Sequence, residues 1–173
     1  TPGHARGHFC LFEPDLRLLV AGDMMAGVGS ILIDPPEGHM ATYLASLDRL
    51  IALNPRSLIP AHGPLLTDAV ARLGQQKTHR LAREVLVKAA IAAGASDVDA
   101  IVAAAYGPDT PQAMWGFAAR SVLAIVEKLV DDGVVVQSYG RSLTFLPQER
   151  FVAMKGWILD LEPDVRGAWA LID

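Results

Sequence analysis

Three glycine-bounded strings constrain this chain more than any other feature, because each carries a polar residue at a place where backbone can bend sharply. Thr1-Pro2-Gly3-His4-Ala5-Arg6-Gly7-His8 comes first, Gly22-Asp23 second and Pro60-Ala61-His62-Gly63 third. Eighteen residues separate His4 from Asp23, and 38 separate Asp23 from His62. Residues 8–13 read as a strand, Pro14-Asp15 as a turn and Arg17 to Ala21 as a second apolar strand, so a hairpin is expected that ends at Gly22-Asp23. Residues 24–40, rich in Gly, Pro and Met, read as a long loop with Ile31-Leu32-Ile33 extended. Leu44, Leu47, Leu50 and Ile51 recur at helical spacing between Ala41 and Leu53, and Asn54-Pro55 stops that helix. Ser57 to Pro60 reads as a short buried strand with His62 just past its end.

The composition changes near Leu66. Residues 68–93, dominated by Ala, Leu, Arg and Lys, read as one long helix, or two with a break at Gly74. Ser96 is the expected N-cap of a helix over about 97–106, closed by Gly107-Pro108. Pro111 opens a third helix that runs to about Asp132 and stops at Gly133. Residues 134–138 and 142–146 then read as strand and strand around Tyr139-Gly140-Arg141. The expected organisation is three segments: residues 1–66, a linker helix with a three-helix-plus-hairpin domain over 67–147, and a helical tail over 148–173.

At 173 residues the chain fits one domain or two small ones, and 51% hydrophobic residues suffice for a buried core. A net charge of −4 argues against a broad nucleic-acid surface. The lone Cys10 excludes an internal disulfide and a thiolate zinc cluster; it reads as a small core residue. No apolar run reaches the ~18 residues that a membrane span needs, so no membrane partner is expected.

Imidazole and carboxylate at strand ends suit zinc, manganese or iron without sulfur. A carboxylate has two oxygens, so Asp23 can bridge two ions. Ions held roughly 3.5–4 Å apart in this way activate a bound water near neutral pH.

In this order, TPGH-x-x-GH, GD and P-x-HG resemble the C-terminal half of the metallo-β-lactamase fold. The helices and hairpin that follow resemble the winged helix of its lactamase-β-2-like, endoribonuclease-like subgroup. The likeness covers residues 1–147. It implies an α/β fold: a partial αββα metallo-β-lactamase fold followed by an α+β winged-helix domain. It also implies that His4 completes the ligands of one zinc ion, Asp23 bridges two, and His62 binds the second. His8 is expected to hydrogen-bond rather than ligate. His39 reads as a solvated loop residue, with a substrate contact as the alternative. His79 reads as a helix-surface or interdomain residue, and Met24 and Met25 as pocket lining or loop packing.

The family pattern also requires an upstream HxHxDH. The histidines of this sequence stand at 4, 8, 39, 62 and 79, no two of them two residues apart, so that motif is absent. The resemblance therefore implies the C-terminal part of a hydrolase in which a metal-bound hydroxide attacks an ester, thioester or phosphodiester. Its substrate would be a small ester or thioester or single-stranded RNA, and its natural partner the N-terminal half of the same fold. Alone, this chain is expected to bind zinc weakly, to be inactive, and to form homo-oligomers through uncovered sheet. A cytoplasmic location is expected. The third helix carries only Arg120 and Lys128 as cations between Pro111 and Leu129, so DNA reading is not expected. The competing reading is a non-enzymatic winged-helix interaction or regulatory module that retains a degenerate half-fold.

Overall fold

Alternation along the central strand sets the architecture. β2 (Leu18–Ala26) buries Leu19 and Ala21 while Val20 between them faces outward, and β3 (Ser57–His62) buries Leu58 and Pro60 around an outward Ile59. This period of two is what a sheet with one covered face requires. In this computed structural model, which describes residues 1–107, 110–138 and 168–171, β1 (Leu11–Glu13) pairs antiparallel with β2. β2 runs parallel to β3, and β3 pairs antiparallel with β4 (Leu66–Thr67), giving the strand order β1-β2-β3-β4.

Because β2 and β3 are parallel, the chain between them must cross over, and helix α1 (Met40–Ala52) makes that crossing. Its buried stripe is Met40, Tyr43, Leu44, Leu47 and Leu50, and truncating a fully buried leucine such as Leu47 to alanine costs about 2–5 kcal/mol. Asn54, in the left-handed conformation (φ 53°), ends the helix before Pro55.

On the opposite face of the sheet an apolar row is exposed among the described residues. Register places Leu11 opposite Val20 and Val20 opposite Ile59, and all three are exposed. An apolar row crossing three strands in solvent is the sign of a surface built to be covered.

Helix α2 (Ala69–Ala92) continues through Gly74 without a break. The chain divides into two compact units, Thr1–Ala82 and Arg83–Asp173. The compositional change at residue 66 thus precedes the structural boundary. The first turns of α2 stay with the first unit because Leu73, Gln76 and Arg80 are buried, Gln76 on Ser30 and Tyr43 and Arg80 on the Ile31 carbonyl.

In the second unit α3 (Val98–Tyr106) is capped by Asp97, whose Oδ1 accepts from the Ala100 N–H at 2.8 Å. Asp97 therefore takes the place expected of Ser96. A 3-10 turn over Gln112–Met114 leads into α4 (Trp115–Asp131). β5 (Val135–Ser138) pairs antiparallel with β6 (Ala168–Leu171). These last four residues are a strand where a helical tail was expected; a residue run pairing with a neighbour's open edge follows that edge rather than its own propensity. The expected wing strand at 142–146 and the rest of the tail lie outside the described residues.

Candidate metal centre

Asp23 stands near the C-terminal end of β2 and His62 is the last residue of β3, so the parallel pair delivers both side chains to one end of the sheet. This is where open α/β sheets bind ligands. β2 runs on past the expected stop at Gly22-Asp23 to Ala26, because its register to β3 shifts twice, between Val20 and Gly22 and between Gly22 and Ala26. Those irregularities bend the strand where the carboxylate leaves it. Beyond them the strand ends lie backbone against backbone: the Gly27 N–H donates to the His62 carbonyl at 2.8 Å. A Cβ on Gly63 would stand 2.9 Å from the Gly27 Cα, so both positions require glycine.

His4 arrives from a different direction. The loop that carries it lies directly on α1: a Cβ on Gly3 would fall 2.3 Å from the Tyr43 Cα. The Gly3 carbonyl accepts from the His39 N–H at 2.8 Å, and the Pro2 carbonyl accepts from Ser46 Oγ at 2.7 Å.

These scaffolds bring the three residues together. His4 Nε2 is 3.8 Å from Asp23 Oδ2, and His62 Nε2 is 3.4 Å from Asp23 Oδ1. Each imidazole faces its own oxygen of one carboxylate. The His4 Nδ1–H donates to the Leu32 carbonyl at 2.9 Å, which fixes the ring's orientation and turns Nε2 toward Asp23. A backbone carbonyl receiving the other ring proton is the usual support of a metal-binding histidine. About one third of the His4 and Asp23 side chains is exposed, and 76% of that of His62.

Among the described residues, no three or more His, Cys, Asp or Glu side chains surround one point as a single ion's site would need. The arrangement is instead two pairs that share Asp23.

His8 uses both ring nitrogens within the protein. Its Nδ1–H donates to the Thr1 carbonyl at 3.2 Å, and its Nε2 accepts from the Asp23 backbone N–H at 3.0 Å. His39 caps α1, its Nδ1 accepting from the Thr42 N–H at 3.3 Å, so it is bound into a helix start rather than solvated in a loop. Met24 and Met25 are buried in β2, and Cys10 is half-buried just before β1, its thiol donating to the Ala21 carbonyl at 3.3 Å. Burial pushes that thiol above its ordinary pKa, against smaller opposing contributions from Thr1.

Sequence reasoning missed the frame behind His4. Tyr43 Oη donates to the Met24 carbonyl at 2.8 Å and accepts from Gln76 Nε2 at 3.3 Å; Gln76 also donates to Ser30 Oγ at 2.9 Å. Arg80 holds the Ile31 carbonyl, one residue before the carbonyl that orients His4. The signal was present: Gln76 and Arg80 follow Leu73 at helical spacing, polar residues in a buried stripe.

Residues 1–62 match the family model of the metallo-beta-lactamase superfamily, and residues 98–141 that of the beta-lactamase associated winged helix domain. A beta-lactamase-like protein 2 homolog of Caenorhabditis elegans is 29% identical over 78% of this chain and 44% of its own length. The human acyl-coenzyme A thioesterase MBLAC2 is 32% identical over 52% of this chain and 31% of its own length. The atrochrysone carboxyl ACP thioesterase nsrC of Aspergillus novofumigatus is 24% identical over 78% of this chain and 44% of its length. The chain therefore spans less than half the length of these relatives. A metallo-beta-lactamase family protein of Thermus thermophilus superposes with a TM-score of 0.69 at 26% identity, covering 80% of this chain and 45% of that one. A beta-lactamase domain protein of Burkholderia ambifaria, at 22% identity, shares the fold with a TM-score of 0.73 over 98% of this chain and 46% of its own. No helix among the described residues is long and apolar enough to cross a membrane. Residues 1–62 are thus metallo-beta-lactamase superfamily sequence, a superfamily of metal-dependent proteins that usually carry zinc, and residues 98–141 are the winged-helix domain associated with it.

Proposed function

We propose that this chain supplies one side of a two-zinc hydrolase centre acting on acyl thioesters. The observation that carries the reading is the division of Asp23 between two imidazoles, His4 on Oδ2 and His62 on Oδ1. His4 would serve one ion, His62 the other, and Asp23 both. A bound zinc pair would supply Lewis-acid activation of water and stabilise the charge that develops on the acyl oxygen. The chain's own residues do the rest. The Leu32 carbonyl holds the His4 ring with Nε2 toward Asp23, and His8 fixes the Asp23 backbone so that neither carboxylate oxygen is tied up by it. The open exposure of His62 leaves substrate a way in. Thioester is favoured over RNA phosphodiester because relatives matched across this region are named as thioesterases of coenzyme A and of an acyl carrier protein. A zinc-loaded full-length protein is expected to hydrolyse S-acyl thioesters, with Asp23→Asn lowering kcat by at least about 100-fold through loss of the shared charge. Turnover of single-stranded RNA with thioesters untouched would overturn the reading.

A further inference from the structure

A cavity of about 250 Å3 opens beside this centre within the first unit. One wall is Met25, Ala26, Gly27 and Gly29, at and beyond the end of β2; the other is the α2 row Arg72, Gln75, Gln76 and His79. The two are tied to the candidate centre by backbone: Ala26 pairs with His62, and the Gly27 N–H donates to the His62 carbonyl. Ligand pockets for whole small molecules run to roughly 300–1,000 Å3, so this one has room for a head group rather than for a substrate. Its chemistry is one-sided. Arg72, Gln75 and His79 stand at i, i+3 and i+7, one exposed face of one helix, and offer nitrogen donors, while no carboxylate lines the cavity. Arg72 makes no ion pair among the described residues, although its guanidinium is the group best shaped to hold a phosphate through two parallel hydrogen bonds.

We infer that this cavity is a phosphate subsite for the acyl carrier, in which Arg72 and Gln75 bind the phosphate at the far end of a pantetheine arm while the thioester lies at the Asp23 end. The inference rests on the thioesterase reading above and adds what selects the substrate. Phosphate at that position is common to coenzyme A and to the prosthetic arm of acyl carrier proteins, so one subsite serves either source.

Two probes test it on the full-length zinc-loaded protein. Desulfo-coenzyme A, which has no thiolate to offer the metal, measures binding directly; S-acetyl-4′-phosphopantetheine and S-acetylpantetheine differ only by the phosphate. Arg72→Ala is expected to weaken desulfo-coenzyme A binding about tenfold or more. It should also raise KM for the phosphorylated thioester by a similar factor at unchanged kcat, and leave the unphosphorylated one alone. Arg72→Lys should recover part of the loss. Lys88→Ala, a charge removed farther along α2, should change nothing. Equal desulfo-coenzyme A binding by the wild type and Arg72→Ala overturns the subsite, as does absence of binding by the wild type at millimolar probe. Arg72-dependent binding of single-stranded RNA in place of desulfo-coenzyme A overturns it as well. Turnover of S-acetylpantetheine reports on the thioesterase reading alone, so failure of that reading and failure of the subsite are separable.

Discussion

His8 Nε2 accepts a hydrogen bond from the backbone N–H of Asp23 at 3.0 Å, across a gap that exists because residue 22 has no side chain. A Cβ on Gly22 would lie 2.6 Å from that same nitrogen, and Gly22 has φ +52°, in the left-handed region. Gly22→Ala is therefore expected to lose about 1–2 kcal/mol from backbone conformation alone and to displace the His8 ring as well. Adding His8→Ala should relieve the collision but not the backbone penalty. Urea unfolding of the two variants separates these effects: equal stability of Gly22→Ala and the wild type would remove both.

The exposed apolar row on the sheet makes a prediction about association. Leu11, Val20 and Ile59 form one apolar row in solvent, and Phe9, 68% exposed, precedes it. Water in contact with such a row is released when a second copy covers it. The isolated chain should sediment as a dimer or larger species at micromolar concentration. Val20→Lys with Ile59→Lys should shift it to monomer without loss of helical signal, because neither position belongs to the buried face. A monomeric wild type is the contrary result.

How much of this was legible depended on whether one residue or several carried the signal. α1 could be read because Leu44, Leu47 and Leu50 repeat on one stripe and Pro55 ends it, and both features are local. Asp23 and His62 could be placed near strand ends because Gly22 and Gly63 mark where backbone turns, whereas His4 lies on a loop before β1. Their sharing of Asp23 was implied by the resemblance of the three motifs and not by spacing, since the geometry depends on the β2–β3 register shifts and on Leu32, none of which has a sequence pattern. His39 was misjudged for a related reason: Thr42 makes it a helix cap, but His is a rare cap and the glycine before it suggested a loop. β6 escaped because a strand that completes an edge needs only a partner, here Val135–Ser138, and no periodicity of its own.

Lys128 gives the second unit a defined alkaline sensitivity. Its Nζ lies 2.6 Å from Asp132 Oδ2 and 3.1 Å from Glu84 Oε2. Desolvation pulls its pKa down, but the two carboxylates together outweigh it and hold the ammonium above its ordinary 10.5. A pKa raised on folding stabilises fully below the unfolded value and is lost as pH rises through the folded one. Lys128→Met should therefore cost about 1 kcal/mol at pH 8, the upper range for partly screened pairs. The difference from wild type should shrink above pH 10.5 and with added salt. Thermal melts at pH 8 and at pH 11 check this; a gap that is the same at both would show that the lysine stem, not its charge, is what matters.

Zinc titration is the most direct test of the shared carboxylate. Each ion would draw two side chains from this chain, His4 with Asp23 or His62 with Asp23, whereas a tightly held zinc takes four ligands or three with water. Calorimetry on the isolated chain should show weak uptake without a sharp two-ion endpoint. Because the pairs are separate apart from Asp23, His4→Ala and His62→Ala should each remove only part of the uptake, while Asp23→Ala should remove most of it. Tyr43 Oη holds the Met24 carbonyl next to Asp23, so Tyr43→Phe should lower uptake through the shared carboxylate. Tight stoichiometric binding of two ions, or equal losses for all three alanine variants, would contradict a centre divided between the two oxygens of Asp23.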